Sequence, residues 1–104
     1  MRKLEEKMVK AVECGKSFMS GSTSVNVSND DGCMVIRVYL HGNNIFERVE
    51  DVNGLRCDCF NLCGWNTVTT RSRLNALGVG VSQKNWEPIY KGSVISTCKW
   101  YEVQ

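Results

Sequence analysis

The chain predicts an α+β fold: an N-terminal amphipathic helix, an antiparallel β-meander of about four strands, a short second helix, then one or two C-terminal strands. Three observations carry this expectation. Apolar residues recur at helical spacing near the N-terminus, strict alternation punctuated by turn residues runs from Thr23 to Asn61, and helix signals return at both ends of the 64–78 stretch. With 104 residues, 42% of them hydrophobic, the chain suits one domain over 1–104 with one core.

From Arg2 to about Lys16, Leu4, Met8, Ala11 and Val12 fall on one helical stripe, and Lys3, Glu6, Lys7, Lys10 and Glu13 occupy the rest of the wheel. Gly15 is placed to stop the helix, and Lys10 and Lys16 suit the negative pole of its dipole. The stripe is narrow and lacks aromatic anchors, so packing on a sheet is expected, not binding to a membrane surface.

After a connector at Ser20–Ser22, Thr23, Val25 and Val27 alternate with Ser24, Asn26 and Ser28 as a half-buried strand. The turn 29–32 ends in Gly32, and Cys33–Leu40 folds back as its hairpin partner. Met34, Ile36, Val38 and Leu40 belong to the core; Val35, Arg37 and Tyr39 face the other way. A turn at 41–44, a strand over Ile45–Val49, a turn at 51–54 and a strand over Leu55–Asn61 complete the meander. In the last of these Leu55, Cys57 and Cys59 share one face, and Arg56, Asp58 and Phe60 the other.

The second helix lies within 64–78. Thr67, Thr69 and Thr70 are candidate N-caps, since a threonine hydroxyl accepts from an unpaired backbone N–H, and Gly78 sits where a left-handed residue closes a helix. Leu74 and Leu77 are expected to close over the sheet, leaving Arg71, Arg73 and Asn75 to solvent. Val79 and Val81 open a strand through Gln83, Lys84–Gly92 reads as a loop whose Trp86, Pro88 and Tyr90 clamp onto the body, and Ser93–Glu102 reads as the closing strand.

Thirteen basic against eleven acidic side chains, net +2, point to no obligate polyanionic partner. No stretch reaches the roughly 20 apolar residues of a membrane span, and the N-terminus lacks an apolar signal core, so a cytoplasmic protein with no membrane partner is expected. That places the six cysteines as reduced thiols in the core. Cys57, Cys59, Cys63 and Cys98 are the most metal-like set, but their spacing departs from that of zinc cages, and neither metal nor cofactor is expected. His41 sits in a turn with nothing to mark it as a thiol's base, and Asp30, Asp31, Glu50 and Asp51 fall in turns, so no catalytic constellation emerges. The start of the second helix lacks the glycine-rich loop and lysine of a nucleotide-binding motif.

Two stretches, Val38 to Asn43 and Gly64 to Leu77, followed by Gly80 to Lys84, resemble a group of small uncharacterised tailed-bacteriophage accessory proteins with an LHGN turn and a GW-T-TTRSRLNAL motif. Relative to that pattern Asn85–Thr97 reads as an insertion before Lys99, Trp100 and Tyr101. The resemblance implies a product made in the bacterial host cytoplasm, in a class whose members bind and block host machinery, and it carries over no catalytic residue. The expected function is therefore non-enzymatic occupation of a host protein or ribonucleoprotein complex, in its sharpest form anti-CRISPR-like inhibition of host defence. Arg71, Arg73, Trp86 and Tyr90 are its candidate contact residues, because Arg and aromatic side chains dominate interface energetics. The alternative is a nucleic-acid-binding module using Arg37, Tyr39, Arg71 and Arg73. Oligomeric state is open, with Ile95 and Trp100 as residues that pairing of sheet edges between chains could cover.

Overall fold

The computed structural model describes residues 2–104. Its first helix, α1 (Lys3–Cys14), ends where Gly15 takes φ +64°, with the Gly15 and Lys16 N–H groups returning to the carbonyls of Val12 and Ala11. The strands β1 (Phe18–Ser20), β2 (Thr23–Asp30), β3 (Cys33–Leu40), β4 (Asn43–Glu50) and β5 (Arg56–Phe60) then pair antiparallel in chain order. Next come α2 (Val68–Ala76), three short strands β6 (Val81–Lys84), β7 (Glu87–Tyr90) and β8 (Ser93–Val94), and finally β9 (Tyr101–Glu102). Strand β9 joins the far edge of the large sheet, and β6–β8 form a second, antiparallel sheet.

The α+β architecture is the one the sequence predicts. Its meander gains a strand at each edge, and two segments differ in kind. Residues 84–92 are not a loop: they are the end of β6, a two-residue turn, β7 and the turn into β8. The closing run is not one strand: β8 pairs in the small sheet, β9 in the large one, and Ile95–Trp100 crosses between them without strand structure.

Cross-strand register assigns the faces. Val25, Val38, Phe46, Phe60 and Tyr101 form one row across β2, β3, β4, β5 and β9, and Val27, Ile36, Arg48 and Asp58 form a neighbouring row. Both helices touch strands of this sheet, and Met8 and Val12 of α1 and Leu74 of α2 join its apolar face in the core. Between the pairs Val38–Phe46 and Tyr39–Asn44, Ile45 is an extra residue on β4. The resulting bulge puts Ile45 and Phe46, consecutive residues, both into the interior. Arg48 and Asp58 lie on this same face and bond in a two-pronged geometry, 2.8 and 3.0 Å, which satisfies the guanidinium where the core ends.

Arg73 does not face solvent. It is only 7% exposed and donates from Nη1 to Glu5 Oε2 at 2.8 Å and from Nε to Thr23 Oγ1 at 3.2 Å; Ser72 Oγ donates to the same Glu5 oxygen at 2.5 Å. Glu5, 3% exposed, holds the stripe position expected of Leu4, which is half-buried. Residues 5, 8 and 12 define the inward face of α1, so the helix must bury a carboxylate, and a buried carboxylate needs a cation with hydrogen bonds around it. Burial pushes the Glu5 carboxyl up, but the hydrogen bonds from Ser72 and Arg73 and the Arg73 charge outweigh it, so its pKa lies below the ordinary value of 4.5.

Glu5→Gln should therefore lower stability at neutral pH by about 3 kcal/mol, since it strands the Arg73 cation in the interior. Because the folded-state pKa is depressed, Glu5 contributes its stabilisation fully above the unfolded-state value of 4.5 and loses it as pH falls through the lower folded value. Urea unfolding of both proteins from neutral to acid pH checks this: the gap between them narrows with acid, and a gap that is absent at neutral pH would contradict the pairing.

Candidate functional site

The second helix begins as its threonines predict. Thr67 Oγ1 accepts from the Thr70 N–H at 3.1 Å, and the two hydroxyls lie 2.8 Å apart. At the other end Gly78, at φ +89°, lets the Val79 N–H reach the Leu74 carbonyl, and Leu74 and Val79 both enter the core. These two ends fix the rotation of the helix. Arg73 and Leu74 turn inward, Asn75 stays exposed, and Arg71 is left half-buried at the side.

Arg71 is held there by Asn66. Its Nη1 donates to the Asn66 carbonyl at 3.1 Å and to Asn66 Oδ1 at 2.5 Å, while Asn66 Nδ2 donates across to Gln83 Oε1 at 3.4 Å and to the Trp86 carbonyl at 3.3 Å. One side chain thus ties the approach to α2, the helix itself and the tip of the β6–β7 hairpin. On its two sides lie Trp65, 59% exposed, and Trp86, 88% exposed, with Val68 of the first helical turn also open to solvent. The Gly64 N–H donates to the Thr97 carbonyl, which brings the 97–100 segment and its exposed Trp100 to the same end of the molecule.

The conformation of Trp86 sets it apart. Four two-residue hairpin turns, at 31–32, 41–42, 85–86 and 91–92, have positive φ at both central residues, the signature of type I′. In three of them the second residue is glycine. In the fourth it is Trp86, at φ +67°. A bulky side chain is disfavoured in that region, and this one gains almost no burial in exchange.

The other residues singled out in the sequence fall elsewhere. Tyr90 is interior: its ring meets the edge of Phe60 at a centroid distance of 4.9 Å and its hydroxyl accepts from the Gln104 N–H at 2.7 Å, so it anchors the hairpin and offers no contact surface. Pro88 is buried and Ile95 is half-buried against the core, its N–H on the Pro88 carbonyl. Arg37 and Tyr39 point from β3 to the face away from the helices, where Arg37 Nε donates to Glu47 Oε2 across the strands at 3.3 Å. Arg37 and Tyr39, Arg71, and Arg73 therefore occupy three separate places and form no common patch. Trp65 and Asn66 are the residues that sequence reasoning passed over. Their signal was a tryptophan and an asparagine immediately before the helix cap, where small polar residues would suffice.

None of the six thiols is fully buried, contrary to the core placement expected of them. Phe60 takes the inner face of β5, so alternation turns Cys57 and Cys59 outward. Cys59 lies between Glu47 and Glu102 in register, and burial, a hydrogen bond with Cys57 and the negative charges of Cys57, Glu102 and Glu47 push its thiol up to about 11. Cys63 sits in the following turn, its Sγ donating to the Asn44 carbonyl at 3.1 Å, and burial followed by the nearby Cys98 charge raises its pKa. Among the described residues no three His, Cys, Asp or Glu side chains converge as a metal cage, and no helix is long and apolar enough to cross a membrane.

Beside Trp65 opens a cleft of about 480 Å³. Leu40, Ile45 and Leu62 supply its apolar surface, Trp65 one wall, and His41, Asn43 and the threonines 67, 69 and 70 its polar lining.

The profile of one protein family, described as Kyanoviridae Gp96 protein, matches residues 1–103 of the chain. The matched span runs through 85–97, the stretch expected to be an insertion. No curated protein matches the chain, and neither does any solved structure.

The thiol placement has a direct chemical readout. Iodoacetamide at about pH 8 should modify the exposed Cys14, Cys57 and Cys98 of the native protein ahead of Cys59 and Cys63. Peptide mapping of a time course checks this order, and early modification of Cys59 would contradict the position assigned to it.

Proposed function

The chain belongs to the Kyanoviridae Gp96 protein family, a bacteriophage family, and from that premise we propose that it is a phage accessory protein that docks without catalysis onto a host protein or ribonucleoprotein and blocks it. Host defence machinery, including CRISPR complexes, is the class of target that this reading favours inside an infected bacterium. The observation that carries it is Trp86: an aromatic side chain 88% exposed, in a left-handed turn position that glycine fills at the other three such turns. Strain kept where it adds nothing to the fold is a mark of function, and tryptophan and arginine are the side chains that most often anchor interfaces.

The surroundings support the same reading. Trp65, Val68 and Trp86 expose apolar area around Arg71, whose guanidinium is already immobilised by Asn66, so less side-chain entropy is lost when a partner arrives. Arg73 and Tyr90 leave the contact set because the fold uses them internally.

Trp86→Gly is expected to separate the two roles. It creates Asn-Gly, the preferred type I′ pair, and should raise stability by about 1 kcal/mol by relieving the left-handed strain. The same variant, like Trp86→Ala, should weaken retention of a stoichiometric host protein from nuclease-treated bacterial lysate by about 30-fold or more. Equal retention by wild type and both variants would remove Trp86 from the interface and the proposal with it.

A further inference from the structure

The cleft beside Trp65 shares that tryptophan with the docking surface but has no lining from Trp86, and its chemistry is selective. A volume of about 480 Å³ exceeds what one inserted side chain fills and falls within the range of small-molecule sites. The indole of Trp65 provides a flat wall that rewards a flat π system, and Ile45 and Leu62 offer neighbouring surface with no hydrogen-bonding demand. The polar groups are unspent. While the hydroxyls of Thr67 and Thr70 engage each other, the side chains of His41, Asn43 and Thr69 make no hydrogen bond within the described residues, and together they offer both donors and acceptors. No Asp, Glu, Lys or Arg lines the cleft, so no charged side chain there compensates an ionised ligand.

The geometry points to a binding site for a neutral, planar heterocycle of nucleoside size, its ring stacked on Trp65 and its polar edge and hydroxyls met by His41, Asn43 and Thr69. A free base would leave part of the volume empty. A nucleotide would bring a phosphate with no basic side chain to receive it.

Titrations with adenosine, guanosine, cytidine and uridine, each followed by calorimetry and by tryptophan fluorescence, test this on the full chain. At least one nucleoside should bind saturably at one equivalent and quench fluorescence. Trp65→Ala and Thr69→Val should each weaken that binding by at least about tenfold with the circular dichroism spectrum retained, and Trp86→Ala should leave it unchanged. The 5′-monophosphate of the same nucleoside should bind no more tightly. The proposal is overturned by absence of saturable binding to all four at millimolar concentration, by binding indifferent to both Trp65→Ala and Thr69→Val, or by a monophosphate that binds more than about tenfold tighter, which would make the site an anion site. Loss of nucleoside binding in Trp86→Ala would place the ligand on the docking surface and equally overturn it.

Discussion

The arrangement of this fold depends on one buried ion pair. Glu5 comes from the first turn of α1, Arg73 from the middle of α2 and Thr23 from the start of β2, and the three meet where each is almost wholly excluded from solvent. Such a pair adds little net stability over an apolar contact of the same shape, because removing both charges from water offsets most of their attraction. Its power lies in the asymmetry. Any register of α1 against α2 that parts the two groups leaves a charge in the interior, so two helices that share few contacts are held to one mutual position. That position sets the direction in which α2 starts, and with it the place of Trp65, Asn66 and the cleft.

The outward-facing features follow from this frame. With Arg73 and Leu74 directed inward, Arg71 emerges at the helix side within reach of Asn66, and Asn66 in turn holds the hairpin tip through the Trp86 carbonyl. The hairpin is anchored at its other end by Tyr90 against Phe60. The turn that carries Trp86 is thus tied to the body at its tip and at its base.

Much of the meander was legible, and the reasons are local. Period-two alternation from Thr23 to Phe60 and glycines suited to left-handed turns specify strands, faces and turns without help from distant residues. Both helix ends were legible for the same reason. What escaped was determined by contacts far apart in sequence. A glutamate beside Leu4 reads as a surface residue until its partner, 68 positions on, is known. The same local pattern places Arg73 in solvent. Ile45 looks like the first residue of a regular strand, because a bulge is a property of pairing and leaves no mark in one strand alone. The hairpin at 81–90 is hidden by its turn: Asn85-Trp86 lacks the glycine that announces the others, so the residue on which the proposed function rests also conceals the element that carries it. Of the four contact residues expected, half-buried Arg71 and exposed Trp86 are linked through Asn66, whereas Tyr90 and Arg73 are interior, a distinction that residue type alone does not draw.

The two exposed regions of the molecule differ in what holds them. The outer sheet face is self-contained: Arg37 and Glu47 neutralise each other across β3 and β4, the thiols of β5 lie among carboxylates, and the residues keep ordinary extended geometry. One polar group is left over there, the buried Ser28 hydroxyl, which finds no hydrogen-bond partner among the described residues. At the Trp86 end, apolar side chains stand in water, an arginine is fixed with most of its charge unneutralised, and a tryptophan occupies backbone space suited to glycine. Each of these is a small free-energy loss for the isolated chain; exposed apolar side chains also occur at Met19, Val52 and Leu55, but at the Trp86 end they are joined to a fixed arginine and a tryptophan in a left-handed turn. Losses that a single substitution could remove, gathered in one place, are accounted for by a binding partner more readily than by the fold, which would be as well or better served without them.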